Sequence, residues 1–223
     1  MPSSPSVAVL LDVDGSLIDS NWLHTLAWHR ALRRHDHEVA MYRIHPLIGM
    51  GGDRLVQELV GHGVDGAGDT HQEEYDALAG DVCVLPGARD LVRAIRDAGA
   101  QPVLATSSRP EALAPARELL DVEEHLGDVT DSGDVEDPKP SPDIFATALE
   151  RAGVPPERAV AVGDTGWDMQ SARAAGVPAI GLLTGGWRGP ELVAEGAAEI
   201  YEDAASLTED LALSIIGRAL ERA

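Results

Sequence analysis

The chain opens with a short apolar run and then changes to a helical pattern. Residues 7–11 are all apolar and are followed by Asp12 and Asp14, which predicts a buried strand with polar groups at its C-terminal end. Over residues 19–37, apolar positions recur every three or four residues, which is typical of an amphipathic helix. Polar segments interrupted by glycines fill residues 38–81, and they predict short helices and no strand.

Strands and helices alternate in the rest of the chain. The predicted strands lie at 101–105, 129–130, 159–162, 177–182 and 199–201, and the predicted helices at 88–98, 110–120, 141–152, 167–175 and 204–222, with a helical turn at 191–195. Ser141 and Pro142 mark one helix start as an N-cap residue followed by proline in the first turn. This alternation predicts an α/β fold with a Rossmann-like, mostly parallel sheet flanked by helices.

The helical stretch that separates the first strand from the others is predicted to be an insertion. A chain of 223 residues is long enough for one core and a smaller appended unit. We assign residues 1–18 and 84–223 to the α/β core and residues 19–83 to an inserted α-helical cap domain.

Composition narrows the class of protein. Hydrophobic residues make up 44% and charged residues 25% of the chain, which is ordinary for a soluble globular protein. No apolar run approaches the roughly 20 residues that a membrane-spanning helix needs. The N-terminus is polar and lacks the features of a signal peptide. Cys83 is the single cysteine, so no internal disulfide can form. We expect a cytoplasmic protein with no membrane partner.

The charged residues argue against a nucleic-acid partner and draw attention to Lys139. The formal net charge is −21, and nucleic acid is bound by clustered lysine and arginine, so no nucleic-acid partner is expected. An anionic substrate would need a local positive site. Of the 17 basic residues, Lys139 is the one lysine and the other 16 are arginine. A single retained lysine suggests a site that needs a compact ammonium and not a planar guanidinium.

Acidic and hydroxyl residues collect where the predicted strands end, namely Asp12, Asp14, Thr106, Ser107, Ser108, Asp164 and Asp168. Each alone has a structural explanation, as a turn or helix-cap residue. Together they lie where open α/β sheets bind ligands. Several carboxylates at close range repel one another, and a hard dication such as Mg²⁺, which prefers oxygen ligands, relieves that repulsion.

Such a site suits phosphoryl transfer. A phosphoryl group can bridge the metal while hydroxyl, backbone N–H and ammonium groups hold its other oxygens, which leaves one carboxylate in line with phosphorus. A second carboxyl two residues along the strand can exchange protons with the leaving oxygen and then with water.

Four motifs resemble those of the haloacid dehalogenase superfamily of phosphohydrolases, in the family's order. They are Asp12-Val-Asp14-Gly-Ser-Leu17, Val103-Leu-Ala-Thr106-Ser107, Asp137-Pro-Lys139-Pro-Ser-Pro-Asp143 and Val162-Gly-Asp164-Thr-Gly-Trp-Asp168. The resemblance covers about residues 7 to 185, and the helical cap is similar to that of the phosphoglycolate phosphatase and beta-phosphoglucomutase group.

The resemblance implies a role for each matched residue. Asp12 would be the nucleophile that becomes an aspartyl-phosphate, and Asp14 the general acid and base. Thr106 would hold a phosphate oxygen beside the N–H of Ser107, and Lys139 would bridge nucleophile and phosphate. The implied magnesium ligands are the Asp12 carboxylate, the Asp14 backbone carbonyl and Asp164, with Asp168 binding directly or through water.

The resemblance also implies that the cap meets the leaving group. His24 lies in the segment that resembles the start of that cap, and Arg54 ends a segment, 45–54, that resembles the loop selecting the leaving group. We take both as candidate substrate contacts. The expected substrate is a small phosphate ester, its identity is open, and the protein is expected to be a monomer or a homodimer.

The same residues bear on other functions of the fold. Haloacid dehalogenases lack the second motif-one aspartate, so Asp14 argues against them. Phosphonate hydrolysis would need a cap lysine, and residues 19–83 contain none. Beta-phosphoglucomutases commonly carry Glu-Asp in motif four where this chain has Gly163 and Asp164. A phosphomutase and a non-catalytic binding protein remain the alternatives to a phosphatase.

Overall fold

The computed structural model of the protein describes residues 7–134 and 139–223. Its strands are β1 (Ala8–Leu11), β2 (Ile18–Asp19), β3 (Cys83–Val84), β4 (Gln101–Ala105), β5 (Asp128–Thr130), β6 (Ala159–Gly163), β7 (Ala179–Leu182) and β8 (Ala197–Tyr201). Its α-helices are α1 (Asn21–Arg34), α2 (Met41–Ile44), α3 (Gly52–Val60), α4 (Ala67–Asp76), α5 (Ala88–Asp97), α6 (Pro110–Leu120), α7 (Asp143–Ala152), α8 (Gly166–Ala174), α9 (Gly189–Glu195), α10 (Ala204–Glu209) and α11 (Ile215–Glu221).

Six of these strands form one sheet in the spatial order β5-β4-β1-β6-β7-β8. Every neighbouring pair in it is parallel. The predicted α/β class, with a mostly parallel sheet flanked by helices, is confirmed.

Strand β1 lies near the middle of this sheet, between β4 and β6. Its side chains alternate between two apolar clusters, with Val9 and Leu11 on one side and Ala8 and Leu10 on the other. Successive side chains of a strand point to opposite faces, so a strand that is apolar at every position is buried on both. The chain then leaves the sheet at Asp12, in the interior of its carboxyl edge.

The cap segment, residues 19–83, carries helices α1 to α4 and an apolar cluster of its own, which includes Trp28, Ile44 and Leu55. At its base β2 and β3 pair antiparallel, with Ile18 opposite Val84 and Asp19 opposite Cys83. The sequence predicted no strand at these positions, because a two-residue strand is too short to show an alternating pattern. The predicted boundaries of the cap fall within this ladder, and the division into core and cap stays a prediction.

The single helix predicted over residues 204–222 is wrong, because the structure has two helices, α10 and α11. The second is capped by Ser214, whose hydroxyl accepts a hydrogen bond from the N–H of Ile216 at 3.1 Å. Glu199 of β8 accepts another from the N–H of Ile215 at 2.9 Å. These side chains satisfy N–H groups that a helix start leaves free, and apolar periodicity does not show such contacts.

The start of α7 also differs from the prediction. Pro142 is its cap residue and no side chain caps it, so the predicted N-cap, Ser141, is wrong by one position. The Ser141 carbonyl instead accepts a hydrogen bond from the hydroxyl of Ser171 at 2.5 Å. The predicted polar N-terminus, residues 1–6, and Asp137 and Pro138 of the third motif lie outside the described residues. Within residues 7–134 and 139–223, no helix is both long and apolar enough to cross a membrane.

Candidate active site

Three adjacent strands bring the predicted residues to one edge of the sheet. Asp12 follows β1, Thr106 follows β4 and Asp164 follows β6. Since β4, β1 and β6 are neighbours and run parallel, their carboxyl ends meet. The structure thus gathers segments that are far apart in sequence, as the sequence predicted.

The centre of this edge is a group of buried carboxylates. Asp12, Asp164 and Asp168 each offer a carboxylate oxygen, and these oxygens lie within 4.8 Å of one another. All three side chains are buried. A set of oxygen donors at this spacing fits a hard divalent cation. The Asp14 carboxylate is not part of the group, and the predicted use of the Asp14 carbonyl as a ligand stays a prediction.

Neighbouring polar groups fix the orientation of two of these carboxylates. Ser16 Oγ donates to Oδ1 of Asp164 at 2.8 Å, and Asn21 Nδ2 donates to Oδ2 of the same residue at 2.8 Å. The backbone N–H and hydroxyl of Thr165 donate to Oδ2 of Asp168 at 3.0 and 2.6 Å. These contacts fix the Asp164 and Asp168 carboxylates in orientations in which they can serve as metal ligands.

The ammonium of Lys139 lies against the same group. Its Nζ is 2.5 Å from Oδ1 of Asp12 and 2.7 Å from Oδ1 of Asp168, and it donates to the carbonyl of Ala105 at 3.0 Å. Burial alone would lower the pKa of Lys139, but Asp12 and Asp168 raise it above its ordinary value. Lys139 is therefore positively charged and makes three separate contacts with oxygen atoms, which suits an ammonium group.

One ammonium does not balance three carboxylates. Burial raises the pKa of Asp12 to about 7, and the neighbouring Asp168 and Asp14 add to the rise while Lys139 opposes it. The pKa of Asp164 is also raised, by burial and by Asp12 and Asp168. Full ionisation of the three carboxyl groups is therefore unfavourable with Lys139 alone, and a divalent cation would stabilise it.

Asp14 points away from the cluster and is held by three side chains. Its carboxylate accepts hydrogen bonds from Ser20 at 2.6 Å and from Ser108 at 2.5 Å, and it lies 3.3 Å from Nε2 of His24. Burial would raise the pKa of Asp14, but His24 and these hydrogen bonds outweigh burial and lower it. Asp14 is thus ionised and fixed in orientation.

A cavity of about 510 Å³ opens over this edge of the sheet, between the core and the cap segment. The predicted residues that line it are Asp12, Asp14, His24, Arg54, Thr106 and Ser107. The Thr106 hydroxyl accepts a hydrogen bond from the N–H of Ser108 at 3.1 Å. Among the described residues, the buried Ser107 hydroxyl has no hydrogen-bond partner. Both hydroxyls can therefore donate to an anionic ligand.

Sequence reasoning missed several residues that hold the aspartates. Ser16 lies inside the first motif, two residues after Asp14, and that position was the available signal. Ser20 and Asn21 stand at the start of α1, where they look like ordinary helix-start residues. Their contacts are with side chains that only the fold brings near.

Residues 7–176 match the family model of haloacid dehalogenase-like hydrolases. The chain belongs to this family. Membership confirms the predicted resemblance and the predicted class of enzyme, a hydrolase of phosphoric monoesters.

Two curated relatives of this haloacid dehalogenase-like hydrolase extend the comparison. A phosphoglycolate phosphatase of Pseudomonas putida is 29% identical over 215 residues, which cover 89% of this chain and 77% of that protein. The protein CbbY of Cereibacter sphaeroides is 34% identical over 197 residues, which cover 78% of this chain and 82% of that protein.

A solved structure confirms the fold of the haloacid dehalogenase-like hydrolase. A hydrolase from Pseudomonas syringae superposes with a TM-score of 0.87 and is 30% identical, and the match covers 92% of this chain and 97% of the other. The similarity therefore includes the cap segment as well as the α/β core.

Proposed function

We propose that the protein is a Mg²⁺-dependent phosphomonoester hydrolase that acts on a small phosphorylated metabolite through an aspartyl-phosphate on Asp12. The observation that carries the proposal is the contact between Lys139 and Asp12 within the buried carboxylate group, directly beside a cavity lined by hydroxyl donors. This contact supports the proposal, because the proposed nucleophile, the ammonium and the candidate metal ligands lie close enough together to act on one phosphoryl group.

In the first step, a carboxylate oxygen of Asp12 bonds to phosphorus and the ester P–O bond breaks. Asp14 gives a proton to the leaving oxygen, so the product alcohol departs neutral. This step needs a proton on Asp14, which is ionised in the structure. We assign the delivery of that proton to His24, whose Nε2 lies 3.3 Å from the Asp14 carboxylate.

In the second step, water attacks the phosphorus of the aspartyl-phosphate. Asp14 takes a proton from the water, the bond between Asp12 and phosphorus breaks, and inorganic phosphate leaves. Lys139 stays beside Asp12 and the phosphoryl oxygens through both steps. Thr106 and Ser107 donate to those oxygens. Magnesium, held by Asp12, Asp164 and Asp168 with the Asp14 carbonyl, would neutralise charge on the phosphoryl oxygens.

The substrate side of the cavity supports a small anionic ester. Arg54 and Arg109 both line it, and Arg109 is paired with Asp69 at 3.2 Å. The two guanidinium groups give this wall cations that can meet an anionic group, and Asp53 lines it beside them. Because one relative is a phosphoglycolate phosphatase, phosphoglycolate is the first metabolite to assay. We place the enzyme in the cytoplasm, as a monomer or homodimer, without a nucleic-acid or membrane partner.

The test uses purified protein with p-nitrophenyl phosphate and with phosphoglycolate. We expect phosphate release that requires Mg²⁺, stops with EDTA and is absent in Asp12→Asn. A labelled phosphoprotein that forms in the wild type and not in Asp12→Asn would support the intermediate. Release equal to that of Asp12→Asn would refute the hydrolase proposal, and conversion of a sugar phosphate to its isomer without net phosphate release would favour a phosphomutase.

A further inference from the structure

The His24 ring lies between two polar partners, and only one of them has a place in the proposed reaction. Its Nε2 is 3.3 Å from Oδ1 of Asp14, and its Nδ1 is 3.2 Å from Nε2 of His71. His71 belongs to α4 and lines the same cavity. The three residues therefore form a continuous line of contacts from the cap segment to Asp14.

Aromatic packing fixes both imidazole rings. His71 stacks on Trp28, with ring centroids 4.2 Å apart and an interplanar angle of 18°. His24 stacks on Tyr75, with centroids 3.9 Å apart and an angle of 4°. Trp28 and Tyr75 are themselves buried. Neither imidazole ring is a freely rotating surface side chain.

Hydrogen-bond chemistry determines which nitrogen atoms of His24 and His71 can carry a proton. A carboxylate accepts hydrogen bonds and does not donate them, so the contact with Asp14 requires the His24 proton on Nε2. A neutral His24 then presents the lone pair of Nδ1, which accepts from Nε2–H of His71. If His24 is protonated on both nitrogens, the other tautomer of a neutral His71 accepts from it. His71 can thus serve His24 in either state.

The surroundings of His71 keep it neutral. Burial lowers its pKa well below the ordinary value, and the nearby His24 and Arg109 lower it further, while Asp14 acts in the opposite direction. A neutral imidazole has one donor and one acceptor nitrogen, which is what alternation between the two arrangements requires.

We propose that His71 is a positioning residue, which holds the His24 ring with Nε2 directed at Asp14 and so supports proton transfer to the leaving oxygen. The inference rests on the proposed function, since it assigns His71 a part in the acid step of Asp14. His71 does not itself touch the reacting atoms in this role.

Two aryl phosphate esters can distinguish a positioning role of His71 from a role in packing alone. Phenyl phosphate and p-nitrophenyl phosphate have nearly the same shape, but phenol is a much weaker acid, so its departure depends more on a donated proton. His71→Phe keeps an aromatic ring for stacking and removes both ring nitrogens. His71→Gln keeps a donor and acceptor at about the distance of Nε2, and His71→Asn has a shorter side chain.

We expect His71→Phe to lower kcat/KM for phenyl phosphate about tenfold more than for p-nitrophenyl phosphate, a fraction of what a general acid usually contributes. His71→Gln should restore most of this difference and His71→Asn should not. His35→Phe is the matched control, because His35 also joins α1 to α4, through Thr70 at 2.9 Å, and does not contact His24. It should lower kcat/KM for both esters alike, if at all.

Failure of the inference about His71 can be distinguished from failure of the proposed hydrolase function. If Asp14→Asn discriminates between the esters and no His71 variant does, the inference about His71 is wrong and the hydrolase proposal stands. If Asp14→Asn lowers kcat/KM equally for both esters, the acid role of Asp14 fails and the role of His71 fails with it. If His71→Phe does not fold, the comparison of Gln with Asn decides, and equal behaviour of these two variants would overturn the inference.

Discussion

Lys139 Nζ lies 2.5 Å from Oδ1 of Asp12, and both side chains are buried. The same Nζ is 2.7 Å from Asp168 and 3.0 Å from the carbonyl of Ala105. These contacts hold the Asp12 carboxylate, the proposed nucleophile, in one orientation before substrate arrives. The cation also reduces repulsion among the carboxylates, and it belongs to the one lysine among the 17 basic residues of the chain.

We predict that Lys139→Arg lowers kcat at least about a hundredfold, the range typical for loss of one well-placed electrostatic contact. The planar guanidinium is larger and cannot reproduce three contacts made by one nitrogen. The measurement is p-nitrophenyl phosphate hydrolysis at saturating Mg²⁺, with thermal unfolding to confirm that the variant folds. Arg93→Lys is the control. It makes the reverse exchange in an exposed pair with Asp90, where no effect on turnover is expected. Near-wild-type turnover of folded Lys139→Arg would show that the lysine is coincidental.

The second prediction concerns the pH dependence of stability without metal. Burial raises the pKa of Asp12 from 3.8 to about 7 in the folded protein. Below pH 3.8 both folded and unfolded states hold this proton. Between the two values only the folded state holds it, so the free energy of unfolding falls as pH rises. Asp164 acts in the same direction, because its pKa is also raised.

We therefore expect the Asp12 carboxyl to make the metal-free protein, in EDTA, less stable at about pH 7 than at about pH 5 in urea unfolding, measured relative to Asp12→Asn. The lowered pKa values of His71 and His45 act in the opposite direction and are common to both proteins. Asp12→Asn should show a smaller loss, since the amide does not titrate, and Mg²⁺ should stabilise the wild type more at the higher pH. An identical pH slope in the wild type and Asp12→Asn would mean that the folded-state pKa of Asp12 is not raised.

The third prediction tests the contact between the cap segment and Asp164. Asn21 is the first residue of α1, and its Nδ2 donates to Oδ2 of Asp164 at 2.8 Å. Groups that orient a metal ligand typically contribute about 10–100-fold to metal affinity. Asn21→Ala should weaken Mg²⁺ binding by that factor in calorimetric titration.

Thr25→Val is the matched control for Asn21→Ala. The Thr25 hydroxyl donates to the carbonyl of Asn21 at 2.9 Å, one turn further along α1. Its loss disturbs the same helix without a direct contact to a carboxylate. If both variants bind Mg²⁺ equally, the effect of Asn21 does not come from Asp164.

Asp12, Thr106 and Asp164 could be predicted because each follows an apolar strand, and parallel neighbours bring their ends together. Lys139 could be predicted from composition and from its motif. These signals are local in sequence, so they can be recognised without a structure. The sheet could be predicted for the same reason, since its strands are continuous apolar runs.

The partners of these residues could not be predicted in the same way. Ser108 contacts Asp14, and Asn21 contacts Asp164 across 143 positions. His71 lies on α4, whose sequence is mostly polar, so nothing in its pattern separates it from a surface histidine. Such contacts depend on how α1 and α4 pack over the sheet edge, which is a tertiary property. The break at Ser214 was missed because it depends on Glu199 of another element.

The last prediction concerns the close approach of a backbone segment to the carboxylate group. A methyl group on Gly185 would overlap the Asp164 carboxylate and lie 2.9 Å from Nδ2 of Asn21. The preceding residue holds this backbone in place, because the Thr184 hydroxyl donates to the carbonyl of Gly15 at 2.5 Å. We therefore expect the carboxylate, and not the backbone, to move.

We expect Gly185→Ala to weaken Mg²⁺ binding at least about tenfold, as for other losses of ligand orientation, and to cost about 1–3 kcal/mol of stability through overpacking. Gly189→Ala is the control, since an added methyl group there meets its nearest neighbour, Ile200, at 3.7 Å. Calorimetric titration and urea unfolding measure both effects. If Gly185→Ala loses stability but binds Mg²⁺ like Gly189→Ala, the strain has been absorbed by the backbone, and the position of Asp164 does not depend on Gly185.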